Sequence, residues 1–69
     1  MKLSARNPLT GTVKSINKGE AIANVALDVA GQRLVASITV EAVDDLGLTE
    51  GAQVTAIIKA SDVIIATGA

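Results

Sequence analysis

The 69-residue chain has no cysteine, no histidine and no phenylalanine, tyrosine or tryptophan. The absence of cysteine excludes a disulfide, and a structural zinc site would lack both of its most common ligand types. The absence of histidine removes the side chain that most often transfers protons near neutral pH. We therefore expect a protein that is not an enzyme and that holds no zinc.

The missing aromatic side chains leave a small domain short of core material. Each such side chain buries about 150–250 Å², and a domain of roughly 60 residues is marginally stable alone. Yet 49% of the residues are hydrophobic, nearly all of them alanine, valine, isoleucine and leucine. We expect copies of the chain to complete one another's core, because oligomerisation is a common remedy for small scaffolds. The alternative is a weakly stable monomer.

The balance of charge argues against several classes of partner. Six basic and seven acidic residues give a formal net charge of −1, without the basic excess that duplex nucleic acid attracts. Single-stranded nucleic acid would need aromatic stacking platforms, which are missing. No stretch approaches the roughly 20 apolar residues of a transmembrane helix, and no export signal is apparent. We expect a cytoplasmic protein with neither a nucleic-acid nor a membrane partner.

Alternation of apolar and polar residues predicts an all-β domain with one short helix. The predicted strands span 1–7 (anchored by Leu3), 9–16, 21–29, 33–39, 52–58 and 63–66. Val40, Val43 and Leu46 have helical spacing, which predicts a helix over 40–46 that ends at Gly47. If the first strand joins the second across Pro8, the layout is an OB-like five-stranded barrel formed by a single domain, 1–69.

The last predicted strand, residues 63–66, is wholly apolar. A strand of this kind has both faces buried. A chain of this size has little of its own to cover two faces, so this segment also implies a neighbouring subunit.

Two short segments, 4–7 and 59–62, are rich in hydrogen-bond donors. Arg6 and Lys59 carry positive charge, Ser4 and Ser61 carry hydroxyl groups, and Asn7 carries an amide. Convergent donors with positive charge and few carboxylates are what an oxyanion requires. Each segment alone is weak evidence, because strand ends are usually polar and lysines are mostly exposed. Asp62 is expected to cap the last turn or to balance Lys59.

Two other kinds of site are less well supported. A serine–lysine catalytic pair would need close approach, but Lys59 and Ser61 merely share a face of an extended segment. Glu41, Asp44 and Asp45 are oxygen donors of the kind that bind magnesium. On a short helix they are more typical of the solvent-facing side.

The chain resembles the Mop family of small molybdate-binding proteins, the molbindins. The matching stretches are Met1-Lys2-Leu3-Ser4-Ala5-Arg6-Asn7, Leu46-Gly47-Leu48-Thr49-Glu50-Gly51 and Val54-Thr55-Ala56-Ile57-Ile58-Lys59-Ala60-Ser61-Asp62-Val63. The pairing of Ser-Ala-Arg-Asn with Lys-Ala-Ser at this separation carries most of the resemblance. The family pattern differs at Pro8 and Thr10, where a polar residue, often lysine, is expected.

This resemblance implies an OB-like Mop domain assembled as a hexamer, a trimer of dimers. It further implies molybdate, and usually tungstate, bound at subunit interfaces for molybdenum storage or homeostasis. By residue match, one subunit would supply Ser4, Ala5, Arg6 and Asn7, and the pocket would be completed by Lys59, Ala60 and Ser61. A neighbour's turn would add backbone donors from Gly19, Glu20 and Ala21. We expect the two donor segments to meet across neighbouring copies. The alternative is a structural or nucleic-acid-binding OB-like module without an oxyanion.

Overall fold

A computed structural model describes Ser4 and residues 6–68 of the chain. Its elements are β1 (Asn7–Lys18), β2 (Ile22–Val29), β3 (Gln32–Thr39), α1 (Val40–Leu46) and β4 (Gln53–Ile58), followed by a single 3₁₀ turn, Ala60–Asp62. The four strands form one antiparallel sheet in the order β3-β2-β1-β4. The prediction of a mostly β domain with one short helix before the last paired strand is confirmed.

The long strand β1 changes partner along its length. Residues Asn7 to Thr12 pair with β4, and Thr12 to Lys18 pair with β2. The register of the β1–β2 ladder shifts between Val13 and Ser15, which marks a β-bulge at Lys14. A bulge bends and twists its strand, so the sheet curls around one apolar interior.

The core lies inside this curl and is built from small aliphatic side chains. Its fully buried members come from three elements and are Val13, Ala23, Val25, Leu27 and Val43. On β2, alternate residues face inward, as the period-2 pattern predicts. α1 contributes Val43 to the core, and the helix otherwise lies mostly on the surface.

The ends of α1 follow from local chemistry. The Thr39 hydroxyl accepts a hydrogen bond from the Ala42 N–H (3.0 Å), which caps the first turn. Gly47 ends the helix with φ 62°, a left-handed conformation suited to glycine. The Leu48 N–H donates to the Val43 carbonyl (3.1 Å), and the Leu48 side chain packs against the core. Leu46 has the predicted position in the last turn of the helix and is 68% exposed.

The β2–β3 hairpin turn contains a strained alanine. Ala30 (φ 51°) and Gly31 (φ 83°) both have positive φ, which makes this a type I′ turn. An alanine in the left-handed region costs about 1–2 kcal/mol, and asparagine is preferred at this position. Ala30→Asn should therefore raise the free energy of unfolding by about 1 kcal/mol, measured by urea titration with circular dichroism. Gly31→Ala is the matched control and should destabilise; equal stability of both variants would contradict the assignment.

Two strand predictions need correction. The segment 63–66 is not a strand: Val63 is extended (φ −86°, ψ 126°), but no described residue pairs with it. The ladder ends at the Asn7–Ile58 pair, and the 3₁₀ turn then directs the chain away from the sheet. The described residues thus form four strands rather than five. Of the predicted first strand, residues 1–3 (with Leu3) and Ala5 lie outside the described residues, while β1 does continue through Pro8.

No helix in the described part of the chain is both long and apolar enough to cross a membrane.

Candidate functional site

The β1–β4 ladder brings the two donor segments together within one chain. Asn7 is the partner of Ile58 in the last pair of this antiparallel ladder. Arg6 directly precedes Asn7 and Lys59 directly follows Ile58, so the two cationic residues flank the last pair of the ladder on its two strands. A single chain thus already brings the two segments to one ladder end, and their meeting across neighbouring copies stays a prediction.

The charges of this ladder end are uncompensated in the described structure. Arg6 and Lys59 are both exposed. Among the described residues, the single ion pair joins Lys18 to Asp44, so no described carboxylate lies within 4.0 Å of either Arg6 or Lys59. Asp62 is therefore not the partner of Lys59 that the sequence suggested. Two neighbouring cations without a counter-charge favour an anionic ligand.

The 3₁₀ turn places more donors beside Lys59. It is held by the bonds from the Asp62 N–H to the Lys59 carbonyl (2.9 Å) and from the Val63 N–H to the Ala60 carbonyl (3.3 Å). The N–H groups of Ala60 and Ser61 have no backbone acceptor among the described residues. The Ser61 side chain is exposed. Lys59, Ala60 and Ser61 thus present an ammonium group, two N–H groups and a hydroxyl at one point of the surface.

The remaining described site residues, Ser4, Arg6 and Asn7, belong to the β1 side of the ladder end. Ser4 and Arg6 are exposed, and Asn7 is half-buried at the first position of β1. Ala5 lies outside the described residues. Arg6, Asn7 and residues 59–61 therefore share one end of the β1–β4 ladder, as a common oxyanion site requires.

Pro8 costs the β1–β4 ladder no hydrogen bond. Peptide groups of successive strand residues point to opposite edges, and the Val13 N–H points to the β4 side, where it donates to the Ala52 carbonyl (2.9 Å). Pro8 precedes Val13 by five residues, an odd number, so the nitrogen of Pro8 points to the opposite edge of β1. The β1–β2 ladder reaches only to the Thr12–Asp28 pair, so that edge is open at Pro8. The hydrogen-bond donor that Pro8 lacks would therefore point to this open edge and not to β4.

The turn containing Gly19, Glu20 and Ala21 lies at the opposite end of β1. The Gly19 N–H donates to the Ile22 carbonyl (2.8 Å) to close the β1–β2 turn. β1 has 12 residues, which at a rise of about 3.3 Å per residue give roughly 40 Å measured along the strand, with this turn at one end and Arg6 at the other. One chain therefore does not bring this turn to the other predicted site residues, and only a neighbouring copy could do so.

The surroundings of this turn are acidic. Glu20 and Ala21 line an open hollow of about 590 Å³ together with Glu41, Asp44 and Asp45 of α1. These three carboxylates are exposed, as the solvent-facing interpretation predicts. Lys18 pairs with Asp44 at 3.1 Å. Within the described residues no group of three or more metal-ligating side chains could hold a metal ion.

The structure also contains an apolar hollow at the open side of the curled sheet, which was not predicted from the sequence. It has a volume of about 170 Å³ and is lined by Val13, Val25, Leu27, Ala36, Ile38, Leu46, Leu48, Val54 and Thr55. Its lining is almost wholly hydrocarbon, so it is no anion site. The lack of aromatic residues was the available signal, because small side chains leave the interior incompletely filled.

Comparison with protein families and known sequences gives consistent matches. The model of the TOBE domain family matches residues 3–65. Molybdenum-pterin-binding protein 1 of Clostridium pasteurianum is 46% identical over 66 residues, which cover 94% of this chain and 97% of that protein. The molybdenum import ATP-binding protein ModC of Brucella abortus is 50% identical over 62 residues, or 88% of this chain, but these are only 17% of ModC.

Three solved structures share this fold, and the descriptions of two of them mention molybdate. A molybdate-binding protein from Sporomusa ovata superposes with a TM-score of 0.93 at 45% identity, covering 97% of this chain and 100% of that chain. MopII from Clostridium pasteurianum gives 0.89 at 39% identity, covering 96% and 100%. ModG, described as a cytoplasmic molybdate-binding protein and solved with molybdate bound, gives 0.88 at 51% identity, covering 93% and 46%. The predicted OB-like fold is thereby confirmed.

Proposed function

We propose that this chain is a single-domain molybdate-binding protein, with residues 1–69 as that domain. The chain belongs to the TOBE domain family and matches stand-alone Mop proteins over nearly its full length. The observation that carries the proposal is the uncompensated pair Arg6 and Lys59 at the end of the β1–β4 ladder. Its relatives are named for molybdenum or molybdate, and a dianion suits two neighbouring cations. The proposed role is binding and not catalysis.

The proposed site holds the anion without covalent chemistry. Arg6 and Lys59 supply charged donors, Ser4 and Ser61 supply hydroxyl groups, and Asn7 supplies an amide. Backbone N–H groups of Ala5, Ala60 and Ser61 complete the set. Hydrogen bonds to charged groups contribute about 1.5–3 kcal/mol each. Tungstate has the same charge and shape and should bind as well, whereas the smaller sulfate should fit less well.

Native mass spectrometry with and without sodium molybdate tests this function directly. We expect added mass in whole multiples of one oxyanion, and titration calorimetry should give a lower Kd for molybdate than for sulfate. A chain that takes up neither molybdate nor tungstate would instead be a structural module. A gel shift with single-stranded nucleic acid at low salt would indicate the other alternative.

Self-association is the second part of the proposal. Val63, Ile64 and Ile65 are 47%, 91% and 81% exposed in one chain, and the apolar hollow of about 170 Å³ is unfilled. Each copy thus carries both an apolar tail (residues 63–66) and an apolar hollow. A twofold axis would let two copies cover these surfaces reciprocally. We propose a homo-oligomer on this basis, with the hexamer of the Mop resemblance as its expected size.

The double variant Ile64→Ser/Ile65→Ser should weaken this association. Burying one such side chain contributes about 1.5–3 kcal/mol, so each copy would lose roughly twice that amount. Dilution followed by native mass spectrometry should show dissociation at higher protein concentration than for the wild type. Val35→Ser, an exposed valine on β3, is the matched control. Unchanged dissociation of the double variant would show that the tail is not in an interface.

The cellular role that we propose is storage or buffering of molybdenum in the cytoplasm. A ligand held only by hydrogen bonds and charge is released by mass action when its free concentration falls. This property suits a buffer.

A further inference from the structure

A charged hollow lies on the outer face of the sheet, beside the β-bulge in β1. It has a volume of about 250 Å³, and its lining includes Lys14, Ser15, Ala26, Asp28, Gly31 and Arg33. None of these residues belongs to the candidate oxyanion site or to the apolar hollow. The charged hollow is therefore a separate feature of the surface, and the proposed function does not use it.

The shape of the charged hollow follows from the alternation along β2. Val25 and Leu27 are buried in the core, so Ala26 and Asp28 point to the opposite face of the sheet. Ala26 is only 8% exposed, which makes it the floor of the hollow rather than part of its rim. Its partner in the β1–β2 register is Ser15, another small residue. Small side chains in the middle and long ones around them leave the space open.

Three charged side chains line this hollow in the order cation, carboxylate, cation. Lys14 lies at the bulge in β1, and Asp28 lies on β2. Arg33 lies on β3, where it is the direct register partner of Asp28. Adjacent strands are about 4.7–4.9 Å apart, so the backbones that carry the two cations are roughly 10 Å apart with the strand of the carboxylate between them.

These three charges do not pair with one another. Residues directly opposite on antiparallel strands have Cβ atoms about 4.5–5.5 Å apart, which is close enough for Asp28 and Arg33 to form an ion pair. Among the described residues, however, the single ion pair joins Lys18 to Asp44, so the Asp28 carboxylate is more than 4.0 Å from the charged nitrogens of Lys14 and Arg33. No side-chain hydrogen bond of the described residues involves these three groups either. Open space between unpaired charges of both signs suits a ligand that carries both signs.

We propose that the charged hollow binds a small acidic α-amino acid with the chemistry of aspartate or glutamate. Such a molecule carries its ammonium group on the carbon chain between two carboxylates, which mirrors the order of charges across the three strands. The ammonium group donates to the Asp28 carboxylate. One ligand carboxylate accepts two parallel hydrogen bonds from Arg33, and the other accepts from Lys14. The net charge of −1 on the ligand meets a net charge of +1 on the three side chains.

The composition of the chain disfavours a ligand built on a planar ring. Aromatic side chains are the usual stacking platforms for such rings, and the chain has none. A flexible aliphatic ligand that is held at its charged ends needs no such platform. The lining thus selects for the positions of charge in the ligand rather than for its shape.

Titration of the isotopically labelled protein with L-glutamate or L-aspartate, followed by NMR of the backbone amides, tests this site. We expect saturable shifts centred on the residues that line the charged hollow. Glutarate and L-glutamine are the matched probes, because glutarate lacks the ammonium group and glutamine lacks the side-chain charge. Each should bind roughly tenfold or more weakly than L-glutamate, since one hydrogen bond to a charged group is lost.

Two variants assign the contacts. Asp28→Asn and Arg33→Gln should each raise the Kd for L-glutamate by roughly tenfold or more. Lys18→Ala is the matched control, because it removes a cation of β1 that lies outside the hollow. It should leave the affinity for L-glutamate unchanged. Where Asp28→Asn fails to fold, Arg33→Gln, which changes an exposed residue, decides the test.

The contrary outcomes are equally specific. Absence of saturable shifts at the hollow would overturn the proposal, and so would equal affinity for L-glutamate and glutarate. Wild-type affinity for L-glutamate in the folded Arg33→Gln variant would also overturn it. The charged hollow and the candidate oxyanion site share no residue, so each of these results would leave the proposed molybdate binding intact.

Discussion

Replacing Lys59 by alanine should weaken molybdate binding by about 1.5–3 kcal/mol, which raises Kd roughly ten- to hundredfold. Lys59 directly follows the last β1–β4 pair, Asn7–Ile58, and no described carboxylate lies within 4.0 Å of its ammonium group, so its charge is available to the anion. Arg6→Ala should have an effect of at least this size, because a guanidinium can donate two parallel hydrogen bonds to one oxyanion. Titration calorimetry gives both values. Fluorescence of the protein is of no use, since there is no tryptophan.

The double variant Arg6→Ala/Lys59→Ala makes this prediction more specific. If both residues contact one anion, their effects should not add, since groups in one network show coupling of about 0.5–3 kcal/mol. Lys14→Ala is the control for loss of one positive charge, because Lys14 is also exposed but lies further along β1 at the bulge. Wild-type affinity in Lys59→Ala, or equal losses in Lys59→Ala and Lys14→Ala, would remove Lys59 from the site.

Gly11→Ala should destabilise the fold by about 1–3 kcal/mol, the usual cost of an overpacked interior. Gly11 is buried in β1, and a Cβ there would lie 2.9 Å from the Asp28 carbonyl oxygen and 2.9 Å from Val29 Cγ2. The backbone oxygen cannot move without disturbing the sheet. Replacing glycine also restricts the unfolded chain and so stabilises by about 0.4–1 kcal/mol, which is smaller than the clash.

Urea unfolding followed by circular dichroism measures this effect, at one protein concentration because association shifts apparent stability. Val29→Ala supplies a second test. In the double variant Gly11→Ala/Val29→Ala the methyl contact is gone, so the added cost of the Gly11 change should fall, while the contact with the Asp28 oxygen remains. Stability of Gly11→Ala within about 0.5 kcal/mol of the wild type would show that β1 and β2 are not packed this closely at Gly11.

Most of the secondary structure could be predicted from local chemistry. The alternation buries every second side chain from Ala23 to Leu27 of β2 and leaves every second side chain of β3 half-buried, and Gly47 ends α1 where a left-handed residue is needed. The segment 63–66 shows the limit of this reasoning. Its apolar residues predict burial, but a strand also requires a partner with free peptide groups, and a pattern of side chains contains no information about that partner.

The candidate site shows a similar division. The residue types of an oxyanion site can be identified in the segments 4–7 and 59–61 without any structure, and the Mop resemblance assigns them a ligand. Their position relative to each other cannot be derived in that way. Their position in one chain follows from the register of the β1–β4 ladder, which pairs Asn7 with Ile58, and a pattern of side chains contains no information about that register.

By itself, the sequence determined the class of this protein: a small, mostly β domain without histidine or aromatic side chains, with donor groups of the kind that bind an oxyanion. These properties depend on composition and on neighbours along the chain. The tertiary structure alone decided that Arg6 and Lys59 lie together, that Gly19 to Ala21 lie far from them, and that an apolar hollow stays open. Each of these depends on which strands pair and in what register, and pairing is set by contacts between residues distant in the sequence.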